Sequence, residues 1–91
     1  MVSKEVVVVN PLGLHIEPAC KLSMTAMEFK SEITIKYKNK TLLAKSVLNV
    51  LAAGVACGES MTICCSGIDE DEALKVLCEA VRSGLGDKVK G

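Results

Sequence analysis

The sequence predicts an α+β fold: an open-faced two-layer sandwich of order β-α-β-β-α-β-α, with a four-stranded antiparallel sheet covered on one face by three helices. Three observations predict it. The chain has 91 residues, enough for one domain, 1–91, with a modest core and no deep cleft. Ile33, Ile35 and Tyr37 alternate with Thr34, Lys36 and Lys38, the period of a sheet with one wet face. Elsewhere apolar residues recur at helical spacing between Gly, Pro and Ser breakers.

The first strand is expected over Val2 to Val9, whose β-branched run stops at the Asn10-Pro11-Leu12-Gly13 breaker cluster. The first helix follows. Pro18 fits its opening turn, where a missing N–H costs nothing. Ala19, Leu22, Ala26 and Phe29 recur at helical spacing and should face the core, while Cys20, Met24 and Met27 form a second stripe. Strand two is Glu32 to Lys38. A turn at Asn39-Lys40 leads into a short strand, Thr41 to Ala44. Ser46 opens the second helix as an N-cap, and Gly54 stops it after Ala53. Strand four is Ser60 to Ser66, with Met61, Ile63 and Cys65 on one face. The third helix begins at Asp69, with Glu72 completing a capping box and Leu74, Leu77 and Val81 on the buried side; Gly84 is its stop. The closing stretch from Gly86 to Gly91 is expected to fray.

Composition excludes several function classes. Lys plus Arg equals 11 and Asp plus Glu equals 11, so there is no excess of positive charge to hold nucleic acid or an anionic membrane. With one Tyr, one Phe and no Trp, there is no stacking platform for single strands. The longest uncharged stretch, Ser46 to Gly58, falls short of a membrane span, and no secretory signal is visible. Five cysteines, an odd number without a C-x-x-C pair, fit a reducing cytosol and small apolar core residues better than a disulfide framework. One His and no paired Cys argue against a metal site, and no cofactor is called for.

His15 is the single histidine and lies directly before the first helix. The first amides of a helix are unpaired and carry partial positive charge. That end favours a neutral imidazole, whose free lone pair makes it a nucleophile, and the same amides would hold an anion placed on the ring. The arrangement suits accepting and passing on a phosphoryl group. A lone loop histidine is also compatible with an ordinary exposed or hydrogen-bonded residue.

The segment Gly13-Leu14-His15-Ile16-Glu17-Pro18-Ala19 resembles the motif G-[hydrophobic]-H-A-R-P-A of the HPr family, the histidine phosphocarriers of the bacterial phosphotransferase system. Lys45-Ser46, followed by an apolar helix and Gly54, resembles the family's second marker, the regulatory serine of its Gram-positive members. The resemblance runs along the whole chain and implies the same element order. It implies a phosphoryl carrier rather than an enzyme. Enzyme I would phosphorylate His15, with Ile16, Glu17 and Pro18 around it, and sugar-specific enzyme IIA proteins would take the group onward. A serine kinase acting on Ser46, and a transcription regulator, are the further partners it implies, for a cytoplasmic monomer.

One position departs from the motif. Where the family has an arginine that neutralises and positions the phosphate, this chain has Glu17. Exchanging that cation for a carboxylate about 5 Å away is expected to destabilise phospho-His15 by on the order of 2–6 kcal/mol. Lys21 or Lys45 could supply a replacement cation, or the partners could present a basic surface. Alternatively, transfer is weakened or lost and the chain acts as a regulatory binding protein controlled by Ser46 phosphorylation. Read alone, Ser46 is simply a cap; a phosphate there would meet free amides and place charge beside an apolar patch.

That patch is the second helix, Val47-Leu48-Asn49-Val50-Leu51-Ala52-Ala53, apolar almost all round. One short helix over a sheet cannot bury every face, so some of Val47, Leu48 and Leu51 are expected at the surface beside Cys20, Met24 and Met27, as a protein-docking patch. Packing against each other, or pairing into a dimer, is the plainer account. A ferredoxin-like metallochaperone would need a C-x-x-C loop after strand one, where this chain has only His15 and Cys20.

Overall fold

The structure, a computed structural model, describes residues 1–87. The elements follow the expected order: β1 Val2–Val7, α1 Ile16–Ala26, β2 Glu32–Tyr37, β3 Lys40–Leu43, α2 Val47–Ala53, β4 Ser60–Ser66 and α3 Glu70–Arg82. The sheet order is β1-β4-β2-β3, and every pairing is antiparallel. No described helix is long and apolar enough to cross a membrane.

Register follows from the alternation. Ile63 of β4 faces Lys4 of β1 on one side and Ile35 of β2 on the other, so β4 and β2 place Met61, Ile63, Cys65, Ile33, Ile35 and Tyr37 on one buried face. Ala19, Leu22 and Ala26 of α1 and Ala73, Leu77 and Val81 of α3 close the core from above. Leu74 and Phe29 only pack against its margin; Phe29 lies beyond the end of α1. Cys64, Cys65 and Cys78 are buried, whereas Cys20 is half-buried and Cys57 exposed. Burial pushes the Cys65 thiol up to about 11 and raises that of Cys78, so both stay protonated and unreactive near neutral pH.

Four local expectations are corrected. β1 ends at Val7 rather than Val9, although Val8 still exchanges hydrogen bonds with the segment before β4, donating to Glu59 and accepting from Gly58. The turn between β2 and β3 is Lys38-Asn39, one residue earlier than Asn39-Lys40, with Lys38 at φ +54°. β2 accordingly ends at Tyr37 rather than Lys38, whose exposed side chain reaches Glu59 at 3.5 Å and lies over the Tyr37 ring. Glu59 in turn accepts from the Tyr37 hydroxyl.

The fourth correction concerns α3. Asp69 is its N-cap residue, yet its side chain caps nothing and no capping box with Glu72 forms. The carboxylate instead accepts from the Ser31 hydroxyl and from the amides of Lys30 at 2.8 Å and Ser31 at 2.9 Å, tying α3 to the loop before β2. Glu70 takes the local role, accepting from Gly67 N–H at 3.1 Å. A tertiary network with three donors outcompetes one local amide.

That network carries a pH dependence. The Ser31 hydroxyl and the two amides lower the Asp69 carboxyl from 3.8 to about 2. A carboxylate with a depressed folded-state value contributes stability that is present above about pH 4 and lost as pH falls toward about 2. Asp69→Asn is therefore expected to lower stability at neutral pH and flatten its decline across that acidic window, read by urea denaturation at stepped pH. An unchanged acid profile would rule the network out as its cause.

Candidate functional site

α1 and α2 pack side by side and run in opposite directions. Lys45, just before α2, donates to the carbonyl of Phe29, just past α1, at 2.7 Å. At the other end Leu14, just before α1, donates to the carbonyl of Val55, just past α2, at 2.9 Å. The start of α2 therefore sits at the end of α1. His15 and Ser46 are separated by about the length of α1, roughly 16 Å at 1.5 Å per residue.

His15 is the N-cap residue of α1, in extended backbone conformation, and its carbonyl accepts the first helical bond from Ala19 at 3.0 Å. Its ring makes no cap bond and is 29% exposed. Pro18, fully buried, occupies the third helical position and has no N–H to give. The amides of Ile16 and Glu17 have no hydrogen-bond partner among the described residues. An imidazole with one open side thus stands beside unpaired, partly positive donors.

The ring also has a partner that local sequence reading missed. Nε2 lies 3.0 Å from Oδ2 of Asp87, 72 residues along the chain. Asn10, fully buried, donates to the same oxygen at 3.3 Å and to the Gly84 carbonyl at 2.9 Å. Asp87 falls in the stretch from Gly86 expected to fray, and it is instead held against the site; residues 88–91 of that expectation lie outside the described residues. Nothing local signals the contact, since it depends on how the end of α3 meets the loop after β1.

The other expected residues divide. Glu17 is exposed and has no ion-pair partner among the described residues, so solvent would screen its effect on an anion at the ring and put the exchange of the motif's arginine for Glu17 at the low end of the range, about 2 kcal/mol. Lys45 is committed to Phe29 at the far end of α1 and is no substitute for the motif arginine. Lys21 is exposed one turn beyond Glu17 and makes no ion pair with it. Ser46 caps α2 as expected, accepting from Asn49 N–H at 3.3 Å, and Gly54 ends that helix at φ +66°. Leu48 is 77% exposed, and Val47 and Leu51 are half-buried. Met24 at 62% and Met27 at 57% face solvent on the neighbouring helix, with Cys20 half-buried. Ile16, next to His15 in the chain, is exposed, and so is Leu12, an apolar turn residue that helical periodicity does not flag. Among the described residues no three His, Cys, Asp or Glu side chains converge to hold a metal ion.

The loop carrying His15 is fixed by backbone contact. Gly13, at φ +67°, lies so close to the segment after α2 that a Cβ there would stand 2.4 Å from the Val55 carbonyl oxygen and 3.0 Å from Ala56 Cα.

Comparison with known proteins places this geometry. Residues 2–83 match the family model described as the phosphotransferase-system HPr component phosphorylation site. The chain is similar to an HPr of Thermoanaerobacter tengcongensis (HPr-C-His), at 32% identity and a TM-score of 0.92, covering 98% of this chain and all of that one. It is similar to a phosphocarrier HPr of Bacillus anthracis at 34% identity and TM-score 0.84, over 88% of this chain and 95% of the other. Crh of Bacillus subtilis, described as a catabolite repression protein whose domains swap to form a dimer, aligns at 31% identity and TM-score 0.74, over 92% of this chain and 97% of its own.

Gly13→Ala is expected to destabilise the protein by about 2–4 kcal/mol, because the added methyl is strained at positive φ and must displace backbone. A urea midpoint within error of the parent would show that the loop is free to move.

Proposed function

The chain belongs to the HPr family, whose members carry phosphoryl groups rather than catalyse a reaction of their own, and from that premise we propose that His15 is the phosphoryl acceptor in a relay. A ring nitrogen attacks the phosphorus presented by enzyme I. The new P–N bond forms as the donor's bond to phosphorus breaks, and that bond's electron pair returns to the donor. The reverse sequence hands the group to a sugar-specific enzyme IIA in the cytoplasm. One observation carries the reading: a part-exposed imidazole at the N-cap of α1, beside the unpaired amides of Ile16 and Glu17. Those donors can take the phosphate oxygens, and Pro18 fixes the turn that presents them.

The docking surface in this proposal is the exposed apolar area on the paired helices and the adjoining loop. Leu12 and Ile16 stand three residues before and one after His15 in the chain, and Leu48, Met24 and Met27 extend the area along α2 and α1, with Val47, Leu51 and Cys20 at its margin. Apolar side chains this exposed on neighbouring elements favour a partner protein. The chain is proposed to work as a monomer; a swapped dimer like that described for Crh is the alternative that a mass measurement in solution separates.

Glu17 favours a second reading, in which transfer is weak and the chain serves mainly as a binding protein switched at Ser46. A serine kinase and a transcription regulator are its proposed partners. Ser46 lies at the opposite end of α1 from His15, with its hydroxyl facing the Asn49 amide. A phosphate there would add charge beside Leu48 without touching the imidazole.

Incubation with enzyme I and phosphoenolpyruvate is expected to add one acid-labile phosphoryl group, seen by intact mass and absent in His15→Ala. Glu17→Arg is expected to lengthen the life of the phosphohistidine by about thirtyfold, since exchanging the carboxylate for a cation is worth about 2 kcal/mol. No adduct with an active enzyme I would remove the carrier reading, and an unchanged lifetime would place Glu17 away from the phosphate. For the second reading, Ser46→Asp is expected to weaken binding to enzyme I or to strengthen binding to a regulator; unaltered affinity for both, by calorimetry, would dismiss it.

A further inference from the structure

We propose that the open edge of β1 takes an extended segment of a partner protein as an added strand, on a surface separate from His15 and Ser46. β1 ends the sheet and pairs with β4 alone, at the side opposite β3 and the α2 helix packed on it. Val8, just past the strand, donates to the Glu59 carbonyl and accepts from Gly58 N–H, both on the β4 side. Backbone groups alternate along an extended chain. Val2, Lys4 and Val6 therefore face β4 as well, and Ser3, Glu5 and Val7 turn their N–H and carbonyl groups outward. Those outward groups have no partner among the described residues. An unpaired edge of this kind is a template for a further strand.

A cleft of about 250 Å³ lies where β1 meets α3. Half-buried Leu74 and buried Cys78 give it apolar lining. Lys4, Lys75 and Arg82 bring cations to it, against the carboxylates of Asp71 and Glu79. Lys75 stands one helical turn from each of those carboxylates, yet no ion pair closes among these side chains. Burial raises the Cys78 thiol, and the charges of Arg82 and Lys4 both oppose that rise, as cations near one point of the cleft should. Lys4 shares the helix-facing side of β1 with Val2 and Val6. A strand laid outside β1 would turn its own helix-facing side chains into this cleft.

Charge selects the occupant. The residue opposite Lys4 would meet that ammonium on the cleft side, and a carboxylate suits it; the residue opposite Glu5 stands on the solvent face, and a cation suits it. A second copy of this chain does not fit. Antiparallel pairing of β1 with itself keeps like faces together, so it centres on Lys4 against Lys4 or on Glu5 against Glu5. Like charges directly opposite are destabilising, and edge charges of this kind keep copies apart. The partner that matches is a different chain, extended, with an acidic residue and a basic residue side by side between apolar or β-branched neighbours.

The peptide Thr-Val-Lys-Glu-Thr-Leu, running antiparallel to β1, sets Glu opposite Lys4 and Lys opposite Glu5. Labelled for fluorescence anisotropy, it is expected to bind the full chain and, by NMR, to slow amide exchange at Ser3, Glu5 and Val7. Ser3→Pro removes one outward N–H and leaves the bonds to β4 in place, so it is expected to weaken binding about tenfold at an unchanged urea midpoint. Lys4→Glu is expected to weaken binding by about tenfold and to recover it with a peptide carrying Lys in place of Glu. No binding at about millimolar peptide, shifts confined to α1 and α2, or an affinity that neither substitution alters would overturn the inference. Self-association of the parent that Ser3→Pro abolishes would overturn it in favour of a second copy. Equal shifts at Lys4 and Arg82 from free glutarate, with no amide protection along β1, would overturn it in favour of a small anion.

Discussion

The close approach of Gly13 to the Val55 carbonyl is the contact on which the site depends. It brings the loop after β1 against the segment after α2, and the Leu14 amide bonds to the same carbonyl. From the other side Asn10 bonds to Gly84 past the end of α3. A loop clamped by segments roughly forty and seventy residues away has little freedom left. A side chain on such a loop pays little ordering entropy when a partner arrives, which is what preorganisation means in energetic terms.

The same antiparallel pairing of α1 and α2 separates two kinds of chemistry. One end presents an imidazole and unpaired amides; the other presents the Ser46 hydroxyl in a cap bond. Between them lies an exposed apolar surface of Met24, Met27 and Leu48. A partner covering that surface would sense both ends, because about 16 Å is within the span of an ordinary interface. A negative charge at one end could then change docking without altering the chemistry at the other.

Charge around the ring is unusual for a site read as an anion acceptor. Two carboxylates, Glu17 and Asp87, are its acidic neighbours. They are not equivalent. Asp87 contacts Nε2 of the ring, whereas Glu17 stands exposed at the second position of α1.

Alternation in β2 and β4, helical spacing in α1 and α3, and the Ser46 and Gly54 boundaries of α2 were all legible, because period and capping are local properties of the chain. So was the position of His15 ahead of α1, for the same reason. Asp69 shows where local reading fails: its sequence setting favours a capping box, and tertiary donors on Ser31 and Lys30 take its carboxylate elsewhere. Lys45, a plausible cation beside the phosphate in sequence, is carried to the far end of α1 by helix direction alone. Asp87 and Asn10 were invisible as site residues, since no pattern of spacing links positions 72 and 77 residues apart. Short-range order is written in residue type, while the partner of the His15 ring is decided by how the end of α3 packs over the loop after β1, which only the closed core determines.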